Sequence, residues 1–120
     1  MFEKYKVNIV WSGHVHNYQR SFPMKYDAST PDRPVFLFDR KFDGAKNTKT
    51  SSPIYIVTGA GGAGLYNAEQ QANPADWQPF TAKYVADRHS FTFVEARGEE
   101  LTVRQIAANG DEVDRFVLTK

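Results

Sequence analysis

Apolar and polar positions along this chain fall into short runs, with no long helical stripe. "KVNIVW" (6 to 11) is apolar and β-branched and stops at Ser12-Gly13, which predicts a short buried strand. "VFLFD" (35 to 39) and "PIYIVTG" (53 to 59) read the same way. In the last third, "HSFTFVEAR" (89 to 97), "ELTVRQIAA" (100 to 108) and "EVDRFVLTK" (112 to 120) alternate. Phe91 and Phe93 oppose Thr92 and Val94, and Leu101 and Val103 oppose Thr102 and Arg104. The intervening "GE" and "NGD" are hairpin-turn chemistry, so these three strands should form an antiparallel meander. Neither of its faces is wholly polar, which predicts a sheet covered on both sides or packed at an edge.

Helical signal is sparse. Phe2 and Tyr5 in "MFEKYKV" suit the last turn or two of a helix that begins earlier, and a short helix fits 67 to 72. From Phe22 to Ser52 the chain loosens: Pro23, Pro31, Pro34, "DASTPD" and "DGAKNTKTSS" predict mostly loop. Five or six strands with little helix make the expected fold mainly β, of the α+β kind, with no internal domain boundary over residues 1 to 120.

Composition narrows the partners. Hydrophobic residues at 41% and aromatics at 14% suffice for a core. The 15 Lys+Arg and 14 Asp+Glu are interspersed, so neither a phosphate-backbone footprint nor a membrane-binding basic face is expected. No apolar stretch approaches the ~20 residues that span a bilayer, and no signal peptide is legible. With no cysteine, any metal site must use His, carboxylate, Asn or Tyr.

The densest chemistry is "SGHVHNYQ" (12 to 19), which holds two of the three histidines. In an extended segment residues i and i+2 share a face, about 6 to 7 Å apart. His14 and His16 could then converge on one ion, or each hold one member of an ion pair about 3.5–4 Å apart. The competing reading, the commoner one for a bare H-x-H, is a pair of surface or core histidines in a loop, and the strand-then-glycine context weakens it. "GAGGAG" (59 to 64) satisfies G-x-G-x-x-G, yet Asn73-Pro74 and Pro79 interrupt the long helix that a dinucleotide site needs. A turn where backbone approaches backbone, or a site rim, fits better. His89, Arg20, Asp27 and Asp39 have ordinary structural readings. Of these Arg20 is the least dismissible, because a guanidinium can orient a carboxylate or an anion.

"VNIVWSGHVHNYQRSFP" resembles the last block of the purple acid phosphatase branch of the calcineurin-like metallophosphoesterases, G-H-x-H-x-Y-E-R. "PIYIVTGAGG" is similar to that family's next strand and glycine turn. "HSFTFVEARGEELTVRQIAANGDEVDRFVLTK" is similar to its closing strands, ending in D-x-F-x-L. The resemblance covers nearly the whole chain and is loosest at 23 to 52 and 65 to 88. It implies antiparallel strands forming part of a two-sheet β-sandwich flanked by helices. It also implies hydrolysis of phosphate monoesters at a dinuclear centre of iron with zinc, manganese or another iron. His14 would serve the divalent-metal side and His16 the iron side, with Asn17, Tyr18 and Arg20 as neighbouring support. A secreted or periplasmic location is implied at the same level.

Two departures matter. Gln19 stands where the motif has Glu, which loses a charge beside Arg20. The family's D-x-H or D-x-G, G-D-x-x-Y and G-N-H-E blocks are absent, and "GDEVD" (110 to 114) follows the histidines and lacks the Tyr. Two neutral imidazoles cannot balance two cations. The expectation is therefore a C-terminal part of a metallophosphoesterase domain, inactive alone, whose exposed strand edges could pair copies of the chain. Two alternatives are a small cupin-like H-x-H barrel, for which Gln19 and His89 are poor extra ligands, and a β interaction module using 23 to 52.

Overall fold

The computed structural model of the 120-residue chain describes residues 1–27, 29 and 35–120. Most of the turn-rich "DASTPD", with Pro31 and Pro34, lies outside the described residues. A single 3-10 turn, Glu3–Tyr5, stands where a helix end is expected, closed by Lys6 at φ 53°. The strands are β1 Ile9–Ser12, β2 Tyr18–Ser21, β3 Met24–Asp27, β4 Val35–Phe38, β5 Ile54–Thr58, β6 Thr81–Val85, β7 Ser90–Arg97, β8 Glu100–Ala107 and β9 Glu112–Thr119. The one α-helix among the described residues, α1, is Ala68–Ala72.

The described residues build three sheets: β1-β5-β2-β6, β3-β4 and β7-β8-β9. All pairings are antiparallel except β1 with β5. The fold is thus mainly β with antiparallel sheets, as its alternating pattern predicts. The meander forms with its turns at Gly98 (φ 59°) and Gly110 (φ 91°), where the sequence puts them. No closed barrel is formed by the sheets that the described residues build.

Among the described residues nine strands stand where five or six are expected, and the additions are β2, β3 and β6. "YQRS" shows why they are illegible. It has no apolar run, and its burial comes from Tyr18 and from the stem of Arg20, whose charge is met across the core. Residues 18 and 20 face inward and residue 19 faces outward, a period of 2 hidden beneath polar side chains.

The four- and three-stranded sheets enclose the core. Tyr18, Ile54, Ile56 and Val85 meet Val103, Phe116 and Leu118, with Phe42 between them. The rings of Phe42 and Phe116 lie edge to face, centroids 6.2 Å apart. A buried polar seam crosses the same interface. Thr58 lies 2.7 Å from Thr92, Thr92 donates to Gln105 at 2.5 Å, and Gln105 donates to Ser90 at 2.8 Å. The backbone N–H of Ser90 donates to the carbonyl of Ala60. This seam ties the end of β5, and the glycine loop that follows it, to the meander. Leaving one such buried group unpaired costs about 1–3 kcal/mol, so the seam specifies which part of β7 lies beside the loop.

The edge of β9 is covered: Val117 and Thr119 donate to the carbonyls of Gly44 and Thr48. β7 lies at the other edge of its sheet, with Phe91 and Phe93 54% and 46% exposed. The outer face of the meander is therefore open at β7 rather than covered.

Candidate metal centre

His14 and His16 sit in the loop that joins the end of β1 to the start of β2. The loop is not extended. Val15 donates to the carbonyl of Gly13 at 2.9 Å and Asn17 to the carbonyl of Val15 at 2.8 Å, two successive three-residue turns. His14 is the central residue of the first turn, at φ 71°. A positive φ in a γ-turn is the rare and strained form, so the shared-face expectation for an extended H-x-H segment does not apply here. What places the two imidazoles is a tight double turn held from three directions.

The first hold is β5. Gly59 donates to the carbonyl of Asn17 at 3.1 Å, and a Cβ on Gly59 would come within 2.1 Å of the Val15 carbonyl oxygen. This is the close backbone approach expected of the glycine run. The second hold lies beneath the loop. Asn17 is fully buried, its amide donates to the Tyr84 hydroxyl at 3.0 Å, and its carbonyl oxygen accepts from Gln19 at 3.0 Å. Tyr18 donates to Asp114 at 2.8 Å, and Arg20 grips the same carboxylate with two bonds, 2.7 and 3.1 Å.

The third hold is the glycine loop, residues 59–66. The Gly64 carbonyl lies 2.8 Å from His16 Nδ1. Tyr66 stacks on the His16 ring with centroids 4.5 Å apart, and its hydroxyl donates to the carbonyl of His14 at 3.1 Å. His89 also reaches this loop: its Nε2 lies 3.1 Å from the Ala63 carbonyl.

Asn17, Tyr18 and Arg20 thus have Tyr84, Gln19 and Asp114 as side-chain partners, and they brace the loop from the core side. Gln19 bonds Asn17, whereas Arg20 points to the opposite face and finds its counter-charge on β9. The charge missing at residue 19 therefore does not leave Arg20 unpaired. Burial works against the Arg20 charge, but the bonds and charge of Asp114 outweigh it and raise its pKa. Burial, then the Asp114 charge, pushes the Tyr18 phenol far above its ordinary value, so it remains a hydrogen-bond donor. Asp114 is the first residue of the D-x-F-x-L ending, and alternation along β9 sends Asp114, Phe116 and Leu118 inward together. Tyr66 and Asp114 escape sequence reasoning because Tyr66 meets the loop, and Asp114 meets β2, only through tertiary contact, whereas Gly64 lies in the glycine run expected as a site rim.

Asp27 and Asp39 serve turns: their carboxylates accept backbone N–H groups of Ser29, and of Lys41 and Phe42. A cleft of about 650 Å³ is lined by Asn8, Lys49, Leu101 and Leu118 among others. It opens at the start of β1, and the histidine loop follows the end of that strand. Among the described residues no group of three or more His, Cys, Asp or Glu is gathered to hold an ion. No helix among them is long and apolar enough to cross a membrane.

Residues 52–115 match the family described as iron/zinc purple acid phosphatase-like protein C. That span is more than half of the 120 residues, and the chain belongs to this family. It includes the glycine loop and Asp114; His14 and His16 precede it. Two uncharacterized proteins of Mycobacterium tuberculosis, from strains CDC 1551 / Oshkosh and ATCC 25618 / H37Rv, are each 32% identical over 62 residues. The matched stretch is 52% of this chain and 11% of each relative, so the chain spans only a small part of the length of these proteins.

Proposed function

We propose that this chain is the C-terminal part of a metallophosphoesterase domain in which His14 and His16 supply two ligands to a dinuclear centre of iron with zinc, manganese or a second iron. The whole protein, on this reading, hydrolyses phosphate monoesters. One observation carries it: two histidines on a strained loop, gripped by a glycine loop from the segment that matches an iron/zinc phosphatase-like family.

The donor set fits such a centre in part. His14 is exposed, and the His16 nitrogen not engaged by Gly64 remains free to donate a lone pair. Imidazoles suit iron, zinc and manganese alike, and the remaining ligands would come from segments beyond this sequence. When bound, such an ion pair supplies Lewis acidity toward a phosphate ester. The residues of this chain hold the two donors in place: Asn17, Tyr18 and Arg20 from below, Gly64 and Tyr66 from the side.

The test uses the longer polypeptide that carries this chain and p-nitrophenyl phosphate as substrate. His14→Ala and His16→Ala should each reduce turnover by more than the roughly 10–100-fold typical of groups outside the coordination sphere. Unchanged turnover in both variants overturns the proposal. The isolated 120 residues should show no turnover with added Fe, Zn or Mn, and robust metal-dependent turnover abolished by the same substitutions would contradict the two-ligand reading.

The proposal extends to location and self-association. A secreted or periplasmic location follows the family resemblance and is checked by cell fractionation. The open edge at β7 supports pairing of copies of the isolated chain, and sedimentation as a strict monomer counts against it.

A further inference from the structure

We infer that Tyr66 is the positioning residue of the histidine loop. With the Gly64 carbonyl it holds His16 as the Nδ1-protonated imidazole, leaving Nε2 as the free donor nitrogen, and it pins the strained backbone at His14. The inference rests on the metal-centre reading for what Nε2 would meet, whereas the clamp belongs to the chain alone.

The tautomer follows from the geometry. A carbonyl oxygen has lone pairs and no proton, so His16 Nδ1, 2.8 Å from the Gly64 oxygen, must be the donor. A neutral imidazole carries a single N–H, and its lone pair is then on Nε2. His89 is held by the same logic in the opposite sense. Its Nε2 faces the Ala63 carbonyl at 3.1 Å, so its proton is on Nε2 and its lone pair on Nδ1. Neighbouring carbonyls of one loop thus select opposite tautomers in two histidines.

Tyr66 keeps the His16 ring in that orientation. Its ring lies 4.5 Å from the imidazole at an interplanar angle of 38°, covering a face through which the ring would otherwise swing to carry Nδ1 away from the Gly64 carbonyl. Its backbone N–H donates to the His16 carbonyl at 3.4 Å, and its hydroxyl donates to the His14 carbonyl at 3.1 Å. A phenylalanine would keep the stack and the backbone bond. An alanine would keep only the backbone bond.

The experiment is a two-bond 1H–15N correlation of the histidine rings in the metal-free, 15N-labelled chain at alkaline pH. His16 should favour the Nδ1–H form by about fivefold, the ratio that one net hydrogen bond supplies. His89 should favour Nε2–H in the same spectrum and serves as the folded control. Tyr66→Phe should retain the His16 tautomer. Tyr66→Ala should release it toward a mixture while His89 stays unchanged. A wild-type His16 in the Nε2–H form overturns the inference without any variant, and so does a Tyr66→Ala spectrum identical to wild type. Turnover of p-nitrophenyl phosphate by the longer polypeptide separates this from the proposed function. The expected tautomers with unchanged turnover in His14→Ala and His16→Ala retain the clamp and count against the metal centre. Turnover lost in both variants, with a chain whose His16 is the Nε2–H form, retains the centre and removes the clamp.

Discussion

Arg20 on β2 and Asp114 on β9 form a two-bond ion pair across the core, 2.7 and 3.1 Å, with side chains only 12% and 8% exposed. The guanidinium lies 5.0 Å from the centroid of the Phe116 ring, and Tyr18 donates to the same carboxylate. One carboxylate therefore satisfies two strand residues that flank Gln19 and follow the histidine loop directly. Asp114→Ala leaves a buried cation without a partner and should cost about 3–5 kcal/mol, read from the midpoint of urea unfolding. Replacing the group together, Tyr18→Phe with Arg20→Met and Asp114→Leu, should recover most of that loss. A single variant as stable as wild type would show that the pair is dispensable.

His14 stores strain where the chemistry is proposed. At φ 71° it occupies a region that costs a residue with a Cβ about 1–2 kcal/mol. His14→Gly should therefore unfold at higher urea than His14→Ala, by about 1 kcal/mol, although both lose the imidazole. Equal stability of the two variants would mean that the turn relaxes around residue 14.

Gly44 is another positive-φ position, at 69°, with a different reason. A Cβ there would lie 2.3 Å from the Phe116 Cβ and 2.9 Å from its Cα, atoms that β9 cannot move cheaply. Gly44→Ala should destabilise by about 3 kcal/mol, combining left-handed strain with overpacking. Thermal unfolding checks it, and a melting temperature within a degree of wild type would be incompatible with the packing described.

The turn around Gly44 carries an acid-sensitive bond set. The Asp43 carboxylate accepts the backbone N–H groups of Ala45, Asn47 and Lys46, which hold its pKa down at about 2 from an ordinary 3.8. Because the folded value is the lower one, its stabilisation is complete above pH 3.8 and is lost as the pH falls toward 2. Urea midpoints measured from pH 5 down to 2 should fall more steeply for wild type than for Asp43→Asn, which has no charge to lose. Parallel curves would remove Asp43 from the acid response.

Much of the fold is written locally. The meander is legible because alternation and its two glycine turns are local properties of β7 to β9, and β5 is legible as a continuous apolar run. β2, β3 and β6 are not, because four or five residues of mixed polarity become strands only when neighbours supply ladder partners. β2 is the plainest case: Arg20 reads as a surface charge until Asp114, 94 positions away, is placed beside it.

The candidate site divides the same way. The residue types "GHVH" and the glycines after β5 are in the sequence, and with them the family resemblance. An expectation of two histidines sharing a face by strand alternation is also local, and the double turn at Gly13 to Asn17 replaces it. That turn is not a local preference, since it places a histidine at positive φ. It exists because Gly59 lets β5 approach Val15, Tyr84 satisfies Asn17, and Gly64 and Tyr66 hold the imidazole. The sequence by itself determined which donor atoms the chain offers. Only the tertiary structure decided which nitrogen of His16 is free, because a tautomer is chosen by the group that faces the ring, and that group is a carbonyl 48 residues further along the chain.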